Sequence, residues 1–237
     1  MSLQYKYGLF SIFFLLGFFS FGQESTDVIE ENTNEVIDSS FYREDQIYLG
    51  VSFVGLVSDQ ENFNAKGLSS HFQWGVVRDF PIVPSGQLAV GLGLGMGFDR
   101  YTTNLNRIED TQGKGIYSLN TDVTASSLFF SMQSLELPIS FRWRSSSPSD
   151  YAFWRVYGGV AFQWNYRMRA ELENVSLPVK SELNQIATTV HLSFGYNTWN
   201  FYLAYRLTPF FKTESLSSQT LPINITPIKV GLIFYLL

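Results

Sequence analysis

Between Ile47 and Leu236 the hydrophobic residues recur at every second position, in eight separate runs. The clearest run is Trp154–Met168. Trp154, Val156, Gly158, Val160, Phe162, Trp164, Tyr166 and Met168 form one set; Arg155, Tyr157, Gly159, Ala161, Gln163, Asn165 and Arg167 form the other. Successive side chains of a strand point to opposite faces, so this segment is predicted to be a strand with one oily side and one polar side. Wound at helical pitch, the two sets would mix around the cylinder. The same parity organises Leu88–Phe98, Leu135–Trp143, Ile186–Tyr196 and Trp199–Leu207, and less regularly Ile47–Gly55, Ser70–Arg78 and Ile225–Leu236.

The contents of the two faces decide which one points inward. A soluble sandwich buries its apolar face and wets the other, where Lys and Glu would be frequent. Here the polar sets are rich in Gly and Ala with a few Arg, as a crowded interior requires, and Lys and Glu are almost missing from the strands. The apolar sets carry aromatics near their ends: Trp143, Trp154, Trp164, Tyr166, Tyr196 and Trp199. Membrane barrels turn apolar residues to lipid and set aromatic girdles at both interfaces. Connection lengths alternate in step. Ser58–Gly67, Arg100–Ser126, Glu171–Gln185 and Phe210–Asn224 are long, whereas Phe80–Gly86, Ser145–Asp150 and Asn197-Thr198 are short. These patterns predict an all-β fold: an eight-stranded antiparallel up-and-down transmembrane β-barrel over residues 47–237, with long extracellular loops and short periplasmic turns. Eight strands enclose a bore that side chains can fill, so an open pore is not expected. A two-residue turn at Asn197-Thr198 further predicts Tyr196 opposite Trp199, Phe194 opposite Phe201 and Leu192 opposite Leu203.

The residues ahead of the barrel are of two other kinds. Met1–Gly22 has one charge (Lys6), an apolar stretch from Gly8 to Phe19 and then Ser20-Phe21-Gly22. That is the layout of a secretory signal peptide cleaved after Gly22, and the run is too short for a spanning helix. Residues 23–46 scatter Glu24, Asp27, Glu30, Glu31, Glu35, Asp38, Glu44 and Asp45 among Ser, Thr and Asn, which predicts a flexible acidic periplasmic leader. Export by this route places the protein in the cell outer membrane, in contact with outer-membrane lipid and lipopolysaccharide. The chain has no cysteine and only two histidines, which excludes thiolate chemistry and multi-histidine metal centres; no cofactor is expected. A net charge of -5 argues against nucleic acid as a partner.

Several stretches resemble the PorT-like outer-membrane β-barrel family of Gram-negative bacteria. They are Ser134-Leu135-Glu136-Leu137-Pro138-Ile139, Tyr157-Gly158-Gly159-Val160-Ala161 and Tyr205-Arg206-Leu207-Thr208-Pro209. The ending Lys229-Val230-Gly231-Leu232-Ile233-Phe234-Tyr235-Leu236 is similar to the sorting signal of barrel substrates. The resemblance covers about residues 46–237. It implies insertion by the barrel assembly machinery and, since members include a protein needed for secretion of surface proteins and gliding, contact with secretion-system or periplasmic proteins.

Candidate chemistry lies on the polar faces. By parity Glu136, Arg142, Arg144, Arg155, Arg167, Arg169, His191, Arg206 and Lys229 point into the lumen, with Asp99. Only Glu136 is an acid in mid-strand, so it is expected to pair with one or more of the arginines, because a lone buried charge is costly. His191-Leu192-Ser193 has the His-x-Ser pair of a lipid A-trimming serine hydrolase, yet Tyr205 stands where the acid would fall, and both residues share lumen parity. His71 and Asp99 fall on lumen positions without the further acids of a barrel protease. The expected protein is therefore a non-enzymatic outer-membrane barrel with a structural, partner-interaction or secretion-related role. A small-solute or anion-binding transport barrel is the alternative, and a lipid A-modifying hydrolase comes third.

Overall fold

The computed structural model describes residues 45–109, 111, 115–120, 122, 126–145, 153–173, 175–212 and 223–236. The expected signal peptide and the leader up to Glu44 lie outside the described residues. In chain order the strands are β1 (Asp45–Ser58), β2 (Ser70–Pro81), β3 (Leu88–Thr103), β4 (Leu105–Glu109), β5 (Gly115–Leu119), β6 (Leu128–Arg144), β7 (Trp154–Leu172), β8 (Val175–Pro178), β9 (Ile186–Tyr196), β10 (Trp199–Arg206) and β11 (Ile225–Leu236). β1 opens at Asp45, so the last two residues assigned to the leader belong to the barrel wall, and Gln46 is buried in the bore.

Eight of these strands close on themselves. Around the wall the order is β6, β3, β2, β1, β11, β10, β9, β7, and β7 returns to pair with β6. Every pairing is antiparallel. Closure leaves no free edge, which hydrocarbon demands because it offers no water to unpaired amides. At the tightest turn Asn197 sits at φ 53°, and Tyr196 faces Trp199, Phe194 faces Phe201 and Leu192 faces Leu203, as the two-residue hairpin predicted.

The wall turns its large apolar residues outward: Phe53 is 67% exposed, Trp199 64% and Trp164 54%. At the short-turn end Trp154 packs edge-on to Tyr196, and Trp199 to Phe234, as part of an aromatic belt. Inside, small residues make room for large ones. A Cβ on Gly95 would collide with Tyr48 Oη, and one on Gly97 with Glu136 Oε1. Gly95→Val is accordingly expected to destabilise the folded barrel by about 1–3 kcal/mol through overpacking. Urea titration of the barrel in detergent, followed by the gel-mobility shift of the folded form, measures it.

Past the hydrocarbon the wall changes character. β3, β6 and β7 run on towards the long loops, and there the inward positions are apolar. Val54, Tyr101, Leu128, Phe130, Met132, Met168, Ala170, Ile223 and Ile225 form a core with loop residues Leu105, Tyr117, Val179, Leu183, Phe210 and Phe211. The polar set faces out. β7 makes this exchange with a bulge: Ser134 pairs with Asn165 and Gln133 with Arg167, so the backbone register skips Tyr166, whose hydroxyl donates to Gln133 Oε1 at 3.2 Å. One extra residue flips everything beyond it to the other face. Arg167 and Arg169, expected in the lumen, are therefore exposed on the outer wall, and Met168, expected against lipid, is buried.

Candidate functional site

The bore is filled in layers, each built by side chains of matching parity on neighbouring strands. At the short-turn end Asp79 of β2 stands between two arginines of β6. Arg142 Nη1 donates to Asp79 Oδ1, and Arg144 Nη1 lies 3.2 Å from Oδ2. Arg142 also donates to Gln46 Oε1 at 2.6 Å, and Arg144 Nε to the carbonyl of Gly86 at 2.7 Å. The Arg142 guanidinium lies 3.7 Å from the centre of the Tyr157 ring. Arg155 donates to the carbonyl of Asn197 at 2.8 Å and covers the Phe153 ring. All three arginines are almost fully buried.

In the middle layer Glu136 accepts from Gln163 Nε2 at 2.7 Å and from Ser134 Oγ at 3.1 Å, and Thr189 donates to Gln163 in turn. Among the described residues the expected pairing of Glu136 with an arginine does not form. Amide and hydroxyl donors meet the carboxylate, while Asp79 is an acid that pairs with both Arg142 and Arg144. His191 stacks on Tyr202, and Ser193 meets Tyr235 Oη at 3.3 Å. Among the described residues no hydrogen bond joins His191 to a carboxylate or to Ser193. A cavity of about 30 Å³ between Tyr48, Gln73, Glu136, His191, Tyr202 and Tyr235 is the size of a water molecule, not of a solute.

One layer higher, Lys229 Nζ lies 2.9 Å from Asp99 Oδ1, and His71 Nδ1 lies 2.8 Å from the same oxygen. Arg206 donates to the carbonyl of Thr208 and lies over the Phe210 ring. Above them sits the apolar core, closed by a latch that joins two long loops. Glu182 takes two hydrogen bonds from Arg107, at 2.7 and 3.2 Å, a third from the Gly115 amide at 3.1 Å, and a fourth from Tyr117 Oη. Burial alone would raise the Glu182 pKa, but the Arg107 and Tyr117 hydrogen bonds and the Arg107 charge outweigh it and hold the carboxyl below its ordinary value. The same contacts push Arg107 up, and burial does so for Tyr117.

Of the residues singled out in the sequence, Glu136, Arg142, Arg144, Arg155, His191, Arg206 and Lys229 face the bore, and Arg167 does not. Asp79 and Gln46 went unnoticed, and Glu182, a loop carboxylate the basic interior was expected to be able to bind, pairs with Arg107 instead. Asp79 shares the inward parity of His71 and Gln73, one residue past the end assigned to that run, so a longer reading of β2 would have found it. Among the described residues no group of acids and histidines is arranged to hold a metal ion.

A closed antiparallel barrel, greasy outside and plugged by its own charges, is an integral protein of the outer membrane. The chain belongs to the outer membrane protein beta-barrel domain family, which matches residues 21–214. No curated protein matches it. Among solved structures it is similar to the attachment invasion locus protein Ail of Yersinia pestis in complex with the heparin analogue sucrose octasulfate. That likeness has 10% identity and a TM-score of 0.35, and covers 81% of this chain and 97% of that one. Ail of Yersinia pestis alone gives 9% identity and a TM-score of 0.31, with the same coverage. A Rhodopseudomonas blastica porin triple mutant gives 8% identity and a TM-score of 0.15, covering 82% and 100%.

Proposed function

We propose that this barrel works without catalysis and without conducting solute, as a PorT-like platform whose extracellular loops engage a partner in secretion or surface-protein handling. The observation that carries the reading is occlusion at three levels: the Asp79–Arg142–Arg144 layer, the Glu136 layer and the latched apolar cap. A bore so filled gives the lumen network, from Arg142, Arg144 and Arg155 through Glu136 and His191 to Arg206 and Lys229, the role of a structural plug. What remains for function is the loop surface, where binding residues commonly sit. On the same reading the chain is exported with cleavage after Gly22, carries residues 23–44 as an acidic periplasmic leader, and is inserted by the barrel assembly machinery.

The hydrolase alternative is weakened by the position of Ser193, bonded to Tyr235 inside the bore and out of reach of a lipid substrate. In planar bilayers the purified protein is expected to give no steady conductance step, and neutralising Arg142 or Arg155 is expected to create none. A conductance abolished by Arg142→Gln would favour the anion-transport alternative. The interaction role is tested by crosslinking in intact cells: loss of the β4–β5 hairpin should remove the crosslinked partner, whereas His191→Ala should leave it.

A further inference from the structure

We infer that the outer wall, where β3, β6 and β7 leave the hydrocarbon, carries a binding site for the phosphate of an outer-leaflet glycolipid. Three arginines converge there. Arg100 on β3, Ser131 on β6 and Arg169 on β7 are direct neighbours across the sheet, and Arg167 lies two residues below Arg169, beside Gln133. All three arginines are exposed, and among the described residues none takes part in a salt bridge. The contrast with the bore is informative, because Arg142 and Arg144 inside are held by carboxylate, amide or carbonyl oxygens. Short Ser131 between the long arginines leaves recesses of about 240 Å³, lined by Ser131, Gln133, Arg167 and Arg169, and of about 300 Å³, where Arg100 and Arg169 meet Ser131. Glu171 and Ser176 border the second recess on the side away from the membrane, which leaves an excess of positive charge facing the bilayer.

Height on the wall selects the occupant. Directly below these arginines run the outward apolar stretches Leu88–Phe98, Leu135–Trp143 and Trp154–Trp164, each of the length, about 9–11 residues, that crosses a hydrocarbon core. The guanidinia therefore stand at the level where acyl chains give way to headgroups. Arg100 and Gln133 also line a groove of about 550 Å³ whose outward walls are Val51, Phe53, Phe72 and Phe98 and which Ser52, His71 and Asp99 border as well. Planar guanidinium forks match phosphate oxygens bidentately, and an apolar groove beside them suits an acyl chain. A molecule with both parts is a phosphorylated lipid of the lipid A type. A soluble anion would use the arginines and leave the groove empty.

The test uses the full chain folded into lipid nanodiscs containing lipid A, either phosphorylated or enzymatically dephosphorylated, with bound lipid counted by native mass spectrometry. Phosphorylated lipid A is expected to be retained at least about tenfold better than its dephosphorylated form, a difference of about 1.4 kcal/mol. Arg100→Gln, Arg167→Gln and Arg169→Gln combined should abolish that preference, whereas Arg78→Gln, an exposed arginine at the opposite end of β2, should preserve it. The corresponding triple lysine variant, which keeps charge and fold, should retain part of it. Equal retention of the two lipids by the unaltered protein, an unchanged preference in a folded triple glutamine variant, or displacement of the lipid by inorganic phosphate would each overturn the assignment.

Discussion

Asp79→Ala is expected to be the most damaging single change in the bore. The carboxylate stands between Arg142 and Arg144 with no accessible surface, and removing it takes the ion-pair partner from the buried Arg142 guanidinium. Breaking one side of a buried ion pair costs about 3–5 kcal/mol, because the stranded charge keeps its desolvation penalty and loses its compensation. Gln46 still accepts from Arg142 but carries no charge to offset it. The measurement is the urea midpoint of the barrel in detergent. Glu136→Ala is the comparison: it removes an acceptor from Gln163 and Ser134 but frees no buried cation, so a loss of about 1–3 kcal/mol is expected. If Glu136→Ala proved the more costly of the two, the assignment of Asp79 as the acid that holds the lower plug would fail.

That ranking reverses the one the sequence suggests, and the reason is physical. Alternation is legible wherever one face meets lipid and the other meets the bore, because the two environments sort residue types sharply. It identified the eight strands, their antiparallel order and the register at Asn197-Thr198. It fails where the outer environment turns from acyl chain to water. In β6 the oily set is odd from Leu135 to Trp143 and even from Leu128 to Met132, so a pattern tuned to one phase stops at the boundary. In β7 the oily set stays even throughout, and the bulge at Tyr166 exchanges the faces instead. Two adjacent strands thus make the same transition by different means, and only one leaves a trace in the sequence. The latch was less legible still. Glu182 and Arg107 lie on separate long loops, with no periodicity to bring them together.

Glu182→Ala is expected to open that latch without unfolding the membrane wall. Its side chain takes hydrogen bonds from Arg107, Tyr117 and the Gly115 amide, so truncation leaves several buried donors unsatisfied at once. A local loss of about 2–3 kcal/mol follows from the desolvation penalty of such groups. Glu109, the other acid on Arg107, cannot replace it, because its side chain is 53% exposed and an exposed pair contributes about 0–1 kcal/mol. The cap then samples open states on the order of 30- to 150-fold more often, which limited proteolysis of the outer loops reads as a proportional rise in cleavage rate. Acid should do the same to the unaltered protein. Because the Glu182 pKa is lowered in the folded state, its stabilisation is complete above the ordinary glutamate range and disappears as the pH falls through the depressed value. Loop cleavage should therefore accelerate below about pH 4 in the unaltered protein and stay flat in Glu182→Ala, since the ordinary glutamate pKa is about 4.3. A cap that loosens equally with acid in both proteins would mean that another carboxylate, not Glu182, holds the loops over the bore.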